Sequence, residues 1–340
     1  MTVPVRVGIL GLGSIGKTHA RSLAEIGDGV ELVAATSASP ELLAELGFPD
    51  VRVTDFDGLV TAADVDVVVI ATPSDLHGEH ALAALRNGKH LVVEKPLATN
   101  LDEAKQIVRL AAESGLFVSV IAQRRLEPQH VALKSLLSAG TLGQVILGEA
   151  FVHWFRDEAY YESAPWRAQA PGGGSLMNQA LHSVDLLDWL VGPVETVAAH
   201  TATLGHSIEA EDTSVSSLRF TSGALGLIVS STATPPGEAA KLVIHTTRGV
   251  VELTQAEITR WELPGVDKPE VVVEAMSGAN DPSAIGISGH VEQWRDILAA
   301  MRERRDPAVT VIDGFRSVAL IDAIYESSRT GLRVEVSPAE

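Results

Sequence analysis

Short apolar, β-branched runs alternate with helix-period segments along the first third of the chain. The runs occupy residues 5–10, 30–35, 67–71, 90–93 and 117–121. The segments between them, at 14–26, 40–46, 75–86 and 101–113, place apolar residues three and four positions apart, which is the spacing of one helix face. Strands and helices in alternation are typical of a parallel sheet with crossover helices. The pattern predicts a doubly wound α/β domain over residues 1–122.

The pattern changes after residue 142, where apolar runs follow one another with few helices between them. The runs lie at 145–155, 194–203, 213–220, 224–231, 242–245 and 250–253, and helices are predicted at 176–190, 290–304 and 314–330. Successive strands without crossover helices indicate a mostly antiparallel sheet. Residues 264–289 are rich in Gly, Pro and Ser and predict a loop. We therefore predict a second, α+β domain over residues 123–340.

Composition narrows the classes of function. Asp and Glu number 44 against 26 Lys and Arg, so the formal net charge is −18 and a nucleic-acid backbone is repelled. The chain has no cysteine, which excludes disulfides, thiolate metal ligands and cysteine nucleophiles. No apolar run reaches the roughly 18 residues of a membrane helix. We expect a cytoplasmic protein with no nucleic-acid partner and no membrane segment.

Gly11, Gly13 and Gly16 form a G-x-G-x-x-G motif directly after the first strand, with Ser14 and Ile15 before the last glycine. In a dinucleotide site such glycines allow a tight turn, close approach of the pyrophosphate to the backbone, and close packing of helix on strand. The following helix points its N-terminus at the phosphates. Glycines also serve plain turns, but the strand–turn–helix context favours a Rossmann domain that binds NAD or NADP through these five residues.

The end of the second strand bears on the choice between NAD and NADP. An NAD site usually carries Asp or Glu about 20 residues after the glycine motif, on the ribose hydroxyls. Here residues 35–39 read ATSAS, with no carboxylate to repel a 2′-phosphate and no Arg or Lys to bind it. The sequence favours NADP over NAD, with Ser37 as a cofactor residue. Alternatively, Ser37 and Ser39 only cap the helix that starts at Pro40.

A candidate catalytic lysine follows the strand predicted at 90–93, in the sequence Glu94-Lys95-Pro96. The carboxyl ends of strands are where doubly wound domains hold their ligands. Pro96 disfavours helical geometry at Lys95 and so helps to fix the direction of its side chain. The alternative is an ordinary solvated lysine on the surface.

A second candidate group lies on the helix predicted at 176–190, which three glycines precede. Asn178, His182, Asp185 and Trp189 recur at spacings of four, three and four, so they share one helix face. A polar stripe of this kind needs a partner, which a substrate would supply. The alternatives are a solvated face with a capping network and a structural role for His182.

Together, the G-x-G-x-x-G motif, Glu94-Lys95-Pro96 and the glycine triplet leading to Asn178 and His182 resemble the Gfo/Idh/MocA family of glucose–fructose oxidoreductase, inositol dehydrogenase and rhizopine catabolism proteins. The remaining matches are Ala71, Thr72 and Pro73 with His77, the pairs Tyr160-Tyr161 and Trp166-Arg167, and the region from Tyr325 to Gly331. The resemblance spans nearly the whole chain. It implies a Rossmann domain, a second domain with a large open sheet, and a homodimer or homotetramer.

The resemblance also implies an activity. Family members oxidise or reduce a secondary alcohol of a sugar or cyclitol with NAD or NADP. We therefore expect His182 to be the catalytic base and Lys95 to donate to the same oxygen. The expected cofactor residues also include Ala71, Thr72, Pro73, His77, Glu94 and Lys95, and the expected substrate residues are Lys95, Tyr161, Trp166, Arg167, Asn178, His182 and Asp185. Many members carry Asp where this chain has Asn178, which can orient a partner but cannot accept its proton.

Two other functions stay open at this point, and no metal is expected. One is a glycoside-cleaving enzyme, in which bound NAD oxidises the sugar, elimination breaks the glycosidic bond and the hydride returns. The other is a non-catalytic nucleotide-sensing or scaffold protein, against which the presence of Lys95 and His182 argues. The histidines show no zinc-binding pattern such as H-E-x-x-H.

Overall fold

The computed structural model describes residues 3–255, 257–271 and 286–339. It divides into two compact units. Of the described residues, the first comprises 3–123, 286–315 and 339, and the second comprises 124–255, 257–271 and 316–338. The sequence prediction placed one boundary after residue 122, whereas the structure returns residues 286–315 to the first unit. Most of the loop predicted at 264–289 falls on residues 272–285, which lie outside the described residues.

Residues 286–315 belong to the first unit because their helix, Ser288–Glu303, has an apolar face that packs into the core of that unit. Trp294, Ile297 and Leu298 are buried in the same cluster as Val7 and Ile9 of the first strand. Helix periodicity predicted this helix, but periodicity does not tell which core a helix covers. The division of the chain is therefore a property of packing between segments that are distant in sequence.

Six strands form the sheet of the first unit. In chain order they are β1 (Val5–Leu10), β2 (Val30–Ala35), β3 (Arg52–Val53), β4 (Val67–Ile70), β5 (His90–Val93) and β6 (Val118–Val120). Their order across the sheet is β3-β2-β1-β4-β5-β6, and every pair is parallel. The strand order reverses direction between β1 and β4, and ligands bind at the carboxyl ends of strands at such a point. The predicted doubly wound domain is confirmed.

Ten α-helices lie in the described part of the chain. They are α1 (Ser14–Ile26), α2 (Pro40–Glu45), α3 (Phe56–Val60), α4 (His77–Arg86), α5 (Leu101–Ser114), α6 (Pro128–Ser138), α7 (Glu158–Glu162), α8 (Leu181–Val191), α9 (Ser288–Glu303) and α10 (Val311–Thr330). Side-chain caps define several starts: Ser39 accepts from the backbone N–H of Leu42, and Asn100 accepts from that of Glu103. No helix of the described residues is long and apolar enough to cross a membrane.

The second unit contains an eight-stranded sheet. Its strands are β7 (Val145–His153), β8 (Val194–Ala202), β9 (Thr213–Phe220), β10 (Leu225–Ser231), β11 (Lys241–Thr246), β12 (Gly249–Thr254), β13 (Glu257–Glu262) and β14 (Val334–Glu335). The order is β13-β12-β11-β7-β10-β9-β8-β14, and every pair except β7 with β10 is antiparallel. One face packs against α8, and this apolar cluster is the core of the unit. The predicted mostly antiparallel sheet is confirmed.

Several elements escaped the sequence pattern. They are β3, α3, α6, α7, β13 and β14. Apart from α6 and β13, each has at most five residues, which is too short for a periodic signal to emerge. These omissions affect the edges of both sheets, and they leave the predicted strand tips unchanged.

Candidate active site

The three glycines of the loop after β1 carry three different constraints. Gly11 has a φ of +95°, and a Cβ there would lie 2.8 Å from the carbonyl oxygen of Ala71. A Cβ on Gly16 would lie 2.0 Å from the carbonyl oxygen of Gly11. A Cβ on Gly13 would meet nothing within 4 Å. Backbone packing therefore explains why Gly11 and Gly16 are glycines. Gly13 instead leaves open space above the loop, as close approach of a pyrophosphate requires.

The three hydroxyl groups at the tip of β2 have different surroundings. Thr36 is buried, and its Oγ1 accepts from the backbone N–H of Gly11 at 2.9 Å, which ties the tip to the glycine loop. Ser39 caps α2 through a hydrogen bond at 3.2 Å. Ser37 is exposed and has a φ of +54°. The capping alternative thus describes Ser39, and Ser37 presents its side chain to the surface beside the loop.

The segment after β4 lies next to the glycine loop, since β4 is the neighbour of β1. Ala71 donates its N–H to the carbonyl of Leu10 and its own carbonyl lies close to Gly11. His77 is fully buried, with Nδ1 2.7 Å from the carbonyl of Pro96 and Nε2 2.9 Å from that of Thr72. His77 was predicted to bind the cofactor. The structure gives it the task of joining the backbone after β4 to the backbone after β5.

Lys95 follows β5 directly, beside a buried carboxylate. The Oε2 atom of Glu94 accepts from the backbone N–H of Lys95 at 3.2 Å. Burial lowers the pKa of the Lys95 ammonium, and the charge of Glu94 opposes this shift. A lower pKa makes an ammonium group a stronger hydrogen-bond donor toward a developing oxyanion. Lys95 therefore has the chemical character expected of a donor to a reacting oxygen.

Two histidines and a tryptophan that the sequence prediction missed hold Glu94. Its Oε1 atom lies 3.0 Å from Nε2 of His19 in α1 and 3.2 Å from Nε2 of His290 in α9. The indole N–H of Trp294 donates to Nδ1 of His19, so the neutral His19 ring carries its proton on Nε2 and donates it to Glu94. Burial alone raises the pKa of Glu94, but these bonds outweigh it and hold the pKa well below its usual value.

These side chains also form a group of metal-ligand type. One atom each of His19, Glu94 and His290 lies within 4.8 Å of the others. The ring nitrogens that face Glu94 are at ordinary hydrogen-bond distances from its carboxylate, and Trp294 occupies the other nitrogen of His19. A hydrogen-bonded clamp on Glu94 therefore accounts for the arrangement.

The glycine triplet leads into a π-helix, Gly174–Ala180, which continues as α8. Glu211 holds the start of this π-helix: its Oε1 accepts from the N–H of Leu176 at 2.7 Å and from Ser175 Oγ at 3.2 Å. Its Oε2 accepts from Tyr325 at 3.1 Å, and burial raises its pKa. A carboxylate at a helix N-terminus satisfies free N–H groups and the helix dipole. Glu211 is 35 residues away in sequence, so no local signal could reveal it.

The residues predicted to share a face of this helix have different surroundings. Asn178 and His182 are partly exposed. Asp185 is 4% exposed, and its carboxylate accepts two hydrogen bonds from Arg125, at 2.8 and 2.7 Å, and one from Ser317. The wide turn of a π-helix also rotates Asn178 away from the position that a regular helix gives it. Asp185 was predicted to bind substrate, but it lies within the unit as the partner of a buried arginine.

The two neighbouring tyrosines, Tyr160 and Tyr161, have different surroundings. Tyr161 was predicted as a pocket residue, but it is 4% exposed and its hydroxyl is 2.8 Å from Thr232 Oγ1. Tyr160 is partly exposed, and its hydroxyl accepts from Asn178 Nδ2 at 3.1 Å and Gln179 Nε2 at 2.5 Å. Sequence alone did not tell which of the two rings faces the helix of His182.

Trp166 and Arg167 lie beside Tyr160 in the same unit. The guanidinium carbon of Arg167 is 4.2 Å from the centre of the Tyr160 ring and 5.7 Å from that of Trp166. Both side chains are partly exposed. Among the predicted substrate residues, the structure thus groups Trp166, Arg167 and Asn178 around Tyr160, one helical turn before His182.

Comparison with known proteins assigns the family. Residues 5–122 match the model of the oxidoreductase family with an NAD-binding Rossmann fold, and residues 130–252 match the Gfo/Idh/MocA C-terminal domain. The chain belongs to the Gfo/Idh/MocA oxidoreductase family. The predicted family, the enzyme class and a nicotinamide dinucleotide as cofactor are therefore confirmed.

Individual relatives cover almost the entire chain. Two scyllo-inositol 2-dehydrogenases of Bacillus subtilis, one NAD⁺-dependent and one NADP⁺-dependent, are 25% and 26% identical over 98% and 96% of this chain, and over 96% and 94% of their own. The WlbA dehydrogenase of Bordetella pertussis, crystallised with NADH and UDP-GlcNAcA, is 33% identical. Its structure superposes with a TM-score of 0.87 and covers 98% of this chain and 99% of that one.

Proposed function

We propose that the protein transfers hydride between NADP or NAD and a secondary alcohol or ketone of a sugar, sugar derivative or cyclitol. The observation that carries the proposal is the carboxyl edge of the first sheet. Open space above Gly13 and the donor Lys95 lie at the tips of β1 and β5, and β4 is the only strand between them. The substrates in the relatives' names, an inositol and a nucleotide sugar, support the substrate class.

The residues present fit a dinucleotide. Gly11, Gly13, Ser14, Ile15 and Gly16 would hold the pyrophosphate at the start of α1. The segment Ala71–Pro73 and the backbone at Glu94 would line the path toward the nicotinamide, which, when bound, accepts or donates the hydride. The exposed Ser37 lies beside the loop without a carboxylate neighbour in residues 35–39, which supports NADP as the preferred form. The relatives include both an NAD⁺-dependent and an NADP⁺-dependent enzyme, so the preference of this protein between the two cofactors has to be measured directly.

Lys95 and His182 take the two proton-related tasks in this proposal. His182, on a partly exposed face of α8, removes the proton of the substrate hydroxyl. Lys95 donates a hydrogen bond to the same oxygen and stabilises its developing negative charge. Asn178 orients the substrate, because an amide donates and accepts hydrogen bonds without taking a proton.

The proposal extends to assembly and compartment. We propose a homodimer or homotetramer that uses the outer face of the second sheet, and a cytoplasmic location that fits the absence of cysteine. Neither bears on the chemistry.

A substrate panel tests the activity. Sugars, cyclitols and glycosides are each incubated with NADP and with NAD, and the absorbance of the reduced nicotinamide is followed. We expect reduction with at least one sugar or cyclitol, and a kcat/KM with NADP at least equal to that with NAD. A strong preference for NAD contradicts the assignment of Ser37. Glycoside cleavage without net reduction of the cofactor would support the glycoside-cleaving alternative instead.

Variants of the catalytic pair test the mechanism. Lys95→Ala is expected to lower kcat by about 10²- to 10³-fold, because a donor to the developing oxyanion is lost. His182→Ala is expected to lower it by about 10²- to 10⁴-fold and to weaken the acid-side fall of the pH profile, which reports protonation of the base. If both act on one oxygen, the double variant is little worse than the poorer single variant.

The matched control is Lys105→Ala, which removes an exposed lysine of α5. It should retain the parent kcat and KM. Cofactor affinity, measured by calorimetry, should be retained in all four proteins. Near-parent activity of either single variant would remove that residue from the mechanism.

A further inference from the structure

Two arginines lie over one tyrosine ring in the second unit, next to the helix that carries His182. The guanidinium carbons of Arg156 and Arg167 are 5.4 and 4.2 Å from the centre of the Tyr160 ring. The hydroxyl of this ring accepts from Asn178 and Gln179. The two cations are therefore held by the same residues that begin the proposed substrate face.

The partners of Arg167 are neutral. Its Nη1 donates to the carbonyl of Tyr160 at 3.0 Å and to the hydroxyl of Ser163 at 2.8 Å. Within the described residues its Nε is buried without a hydrogen-bond partner, and Arg167 takes part in no ion pair there. A buried N–H of a charged group without an acceptor costs free energy, and a guanidinium whose partners are all neutral keeps a net positive charge that an oxyanion can neutralise.

A second positive charge, that of Arg156, lies close to Arg167 and raises the free energy of the pair. Arg156 is 4% exposed, and it donates to the amide oxygen of Gln179 and the carbonyl of Phe155. Burial lowers the pKa of Arg156, Tyr160 opposes the shift, and the charge of Arg167 lowers the pKa further. Two like charges that repel each other are kept together in a chain whose net charge is −18. Stacking on an aromatic ring offsets only part of that cost.

We propose that the substrate carries an anionic group, a carboxylate or a phosphate, which Arg167 binds while Arg156 supplies a second positive charge. This inference rests on the proposed function, because it places the anion on the same molecule whose alcohol reacts at His182. Arg167, Tyr160 and Asn178 are partly exposed, so a ligand can reach the group. A planar guanidinium binds a carboxylate or a phosphate through two parallel hydrogen bonds, and a lysine cannot do so.

Binding and turnover of three matched probes test the proposal. The probes are D-glucose, D-glucuronate and D-glucose 6-phosphate, which share a ring and differ in charge. We expect calorimetry to show that at least one acidic probe binds more tightly than glucose, and the tighter of the two identifies the carboxylate or the phosphate. Arg167→Gln should weaken that binding by about 10- to 100-fold and weaken the binding of glucose much less.

Two further variants keep the result interpretable. Arg167→Lys retains the charge but loses the planar fork, so it should fall between the parent and Arg167→Gln. Arg329→Gln removes an exposed arginine at the end of α10 and should bind all probes as the parent does. Thermal unfolding of each variant checks that the fold is retained.

The outcomes separate this inference from the proposed function. Equal affinity of the parent for all three probes, or an equal effect of Arg167→Gln on all three, overturns the anion site even if the enzyme oxidises neutral sugars. Tight binding of an acidic probe that depends on Arg167, without hydride transfer to any substrate in the panel, supports the anion site and overturns the proposed function.

Discussion

At the scale of single residues, the glycine loop shows how one motif contains separable constraints. Gly11 needs its positive φ and Gly16 needs the absence of a Cβ, because the chain itself fills the space around them. Gly13 has neither constraint, since its surroundings are open. A side chain at Gly13 therefore disturbs a ligand, and a side chain at Gly16 disturbs the fold.

This difference predicts opposite behaviour of two substitutions. Gly13→Val should abolish binding of NADP and NAD while the melting temperature of the ligand-free protein stays close to that of the parent. Gly16→Val should lower the melting temperature itself, because its Cβ would overlap the backbone of Gly11. Calorimetry with each cofactor and thermal unfolding without it provide the two measurements. Parent-like cofactor affinity of Gly13→Val would refute the assignment of the open space to the pyrophosphate.

At the scale of elements, three segments far apart in sequence converge on Glu94. Helix α1 starts at the glycine loop and contributes His19, while α9 contributes His290 and Trp294. The carboxylate they hold also accepts from the N–H of Lys95. The helix proposed to receive the phosphates and the strand tip that carries the proposed donor are thus joined through one buried side chain, so we propose Glu94 as a positioning residue.

The buried, neutral His19 makes stability depend on pH. Burial lowers the pKa of His19 from 6.5, and Glu94 opposes the shift. The unfolded chain therefore binds a proton below about pH 6.5 that the folded chain does not bind, and stability is lost as the pH falls from 6.5 toward the folded pKa. This contribution amounts to at most about 1.4 kcal/mol per pH unit. Asp188, whose pKa burial raises to about 6, acts in the opposite direction.

A variant without a titrating ring at position 19 isolates the contribution of His19 to the pH dependence of stability. In His19→Gln the amide oxygen can accept from Trp294 and the amide N–H can donate to Glu94, so the clamp is retained without a titrating ring. We expect the free energy of unfolding, measured with urea between pH 7.5 and 5.5, to fall more steeply for the parent than for the variant. Parallel curves would mean that His19 is protonated in the folded protein or that its pKa is not lowered.

At the scale of the whole molecule, the outer face of the second sheet carries a row of apolar side chains across its central strands. On neighbouring strands Phe151, Val229 and Val215 form one cross-strand row, and Leu225 lies on the same face. Val215 is 47% exposed and Leu225 is 56% exposed. Contiguous exposed apolar residues on a sheet mark an interaction surface, and a second copy of the chain is the occupant we propose.

The oligomeric state tests this surface. Val215→Glu should shift the mass measured by light scattering toward the monomer, because it places a charge within an apolar interface. Leu204→Glu changes a residue that is 75% exposed in a loop and serves as the matched control, with an unchanged mass expected. A parent protein that is already monomeric would contradict the proposed assembly.

Local sequence patterns predict the alternation of strands and helices in the first unit, and with it the position of the loop Gly11–Gly16 and of Lys95 at the strand tips. Local patterns suffice there because backbone hydrogen bonds and side-chain period act over a few residues. The observed bounds of β1, β2 and β5 coincide with the predicted ones for this reason.

Contacts between distant segments of the chain determine which side chains face each other. They place α9 in the first core, surround Glu94 with His19 and His290, and pair Asp185 with Arg125. These pairings join residues separated by 60 to 196 positions, and burial, rather than any local period, selects them. The sequence contains the same residues, but the free energy that pairs them arises only when the core of each unit packs and water is excluded from it.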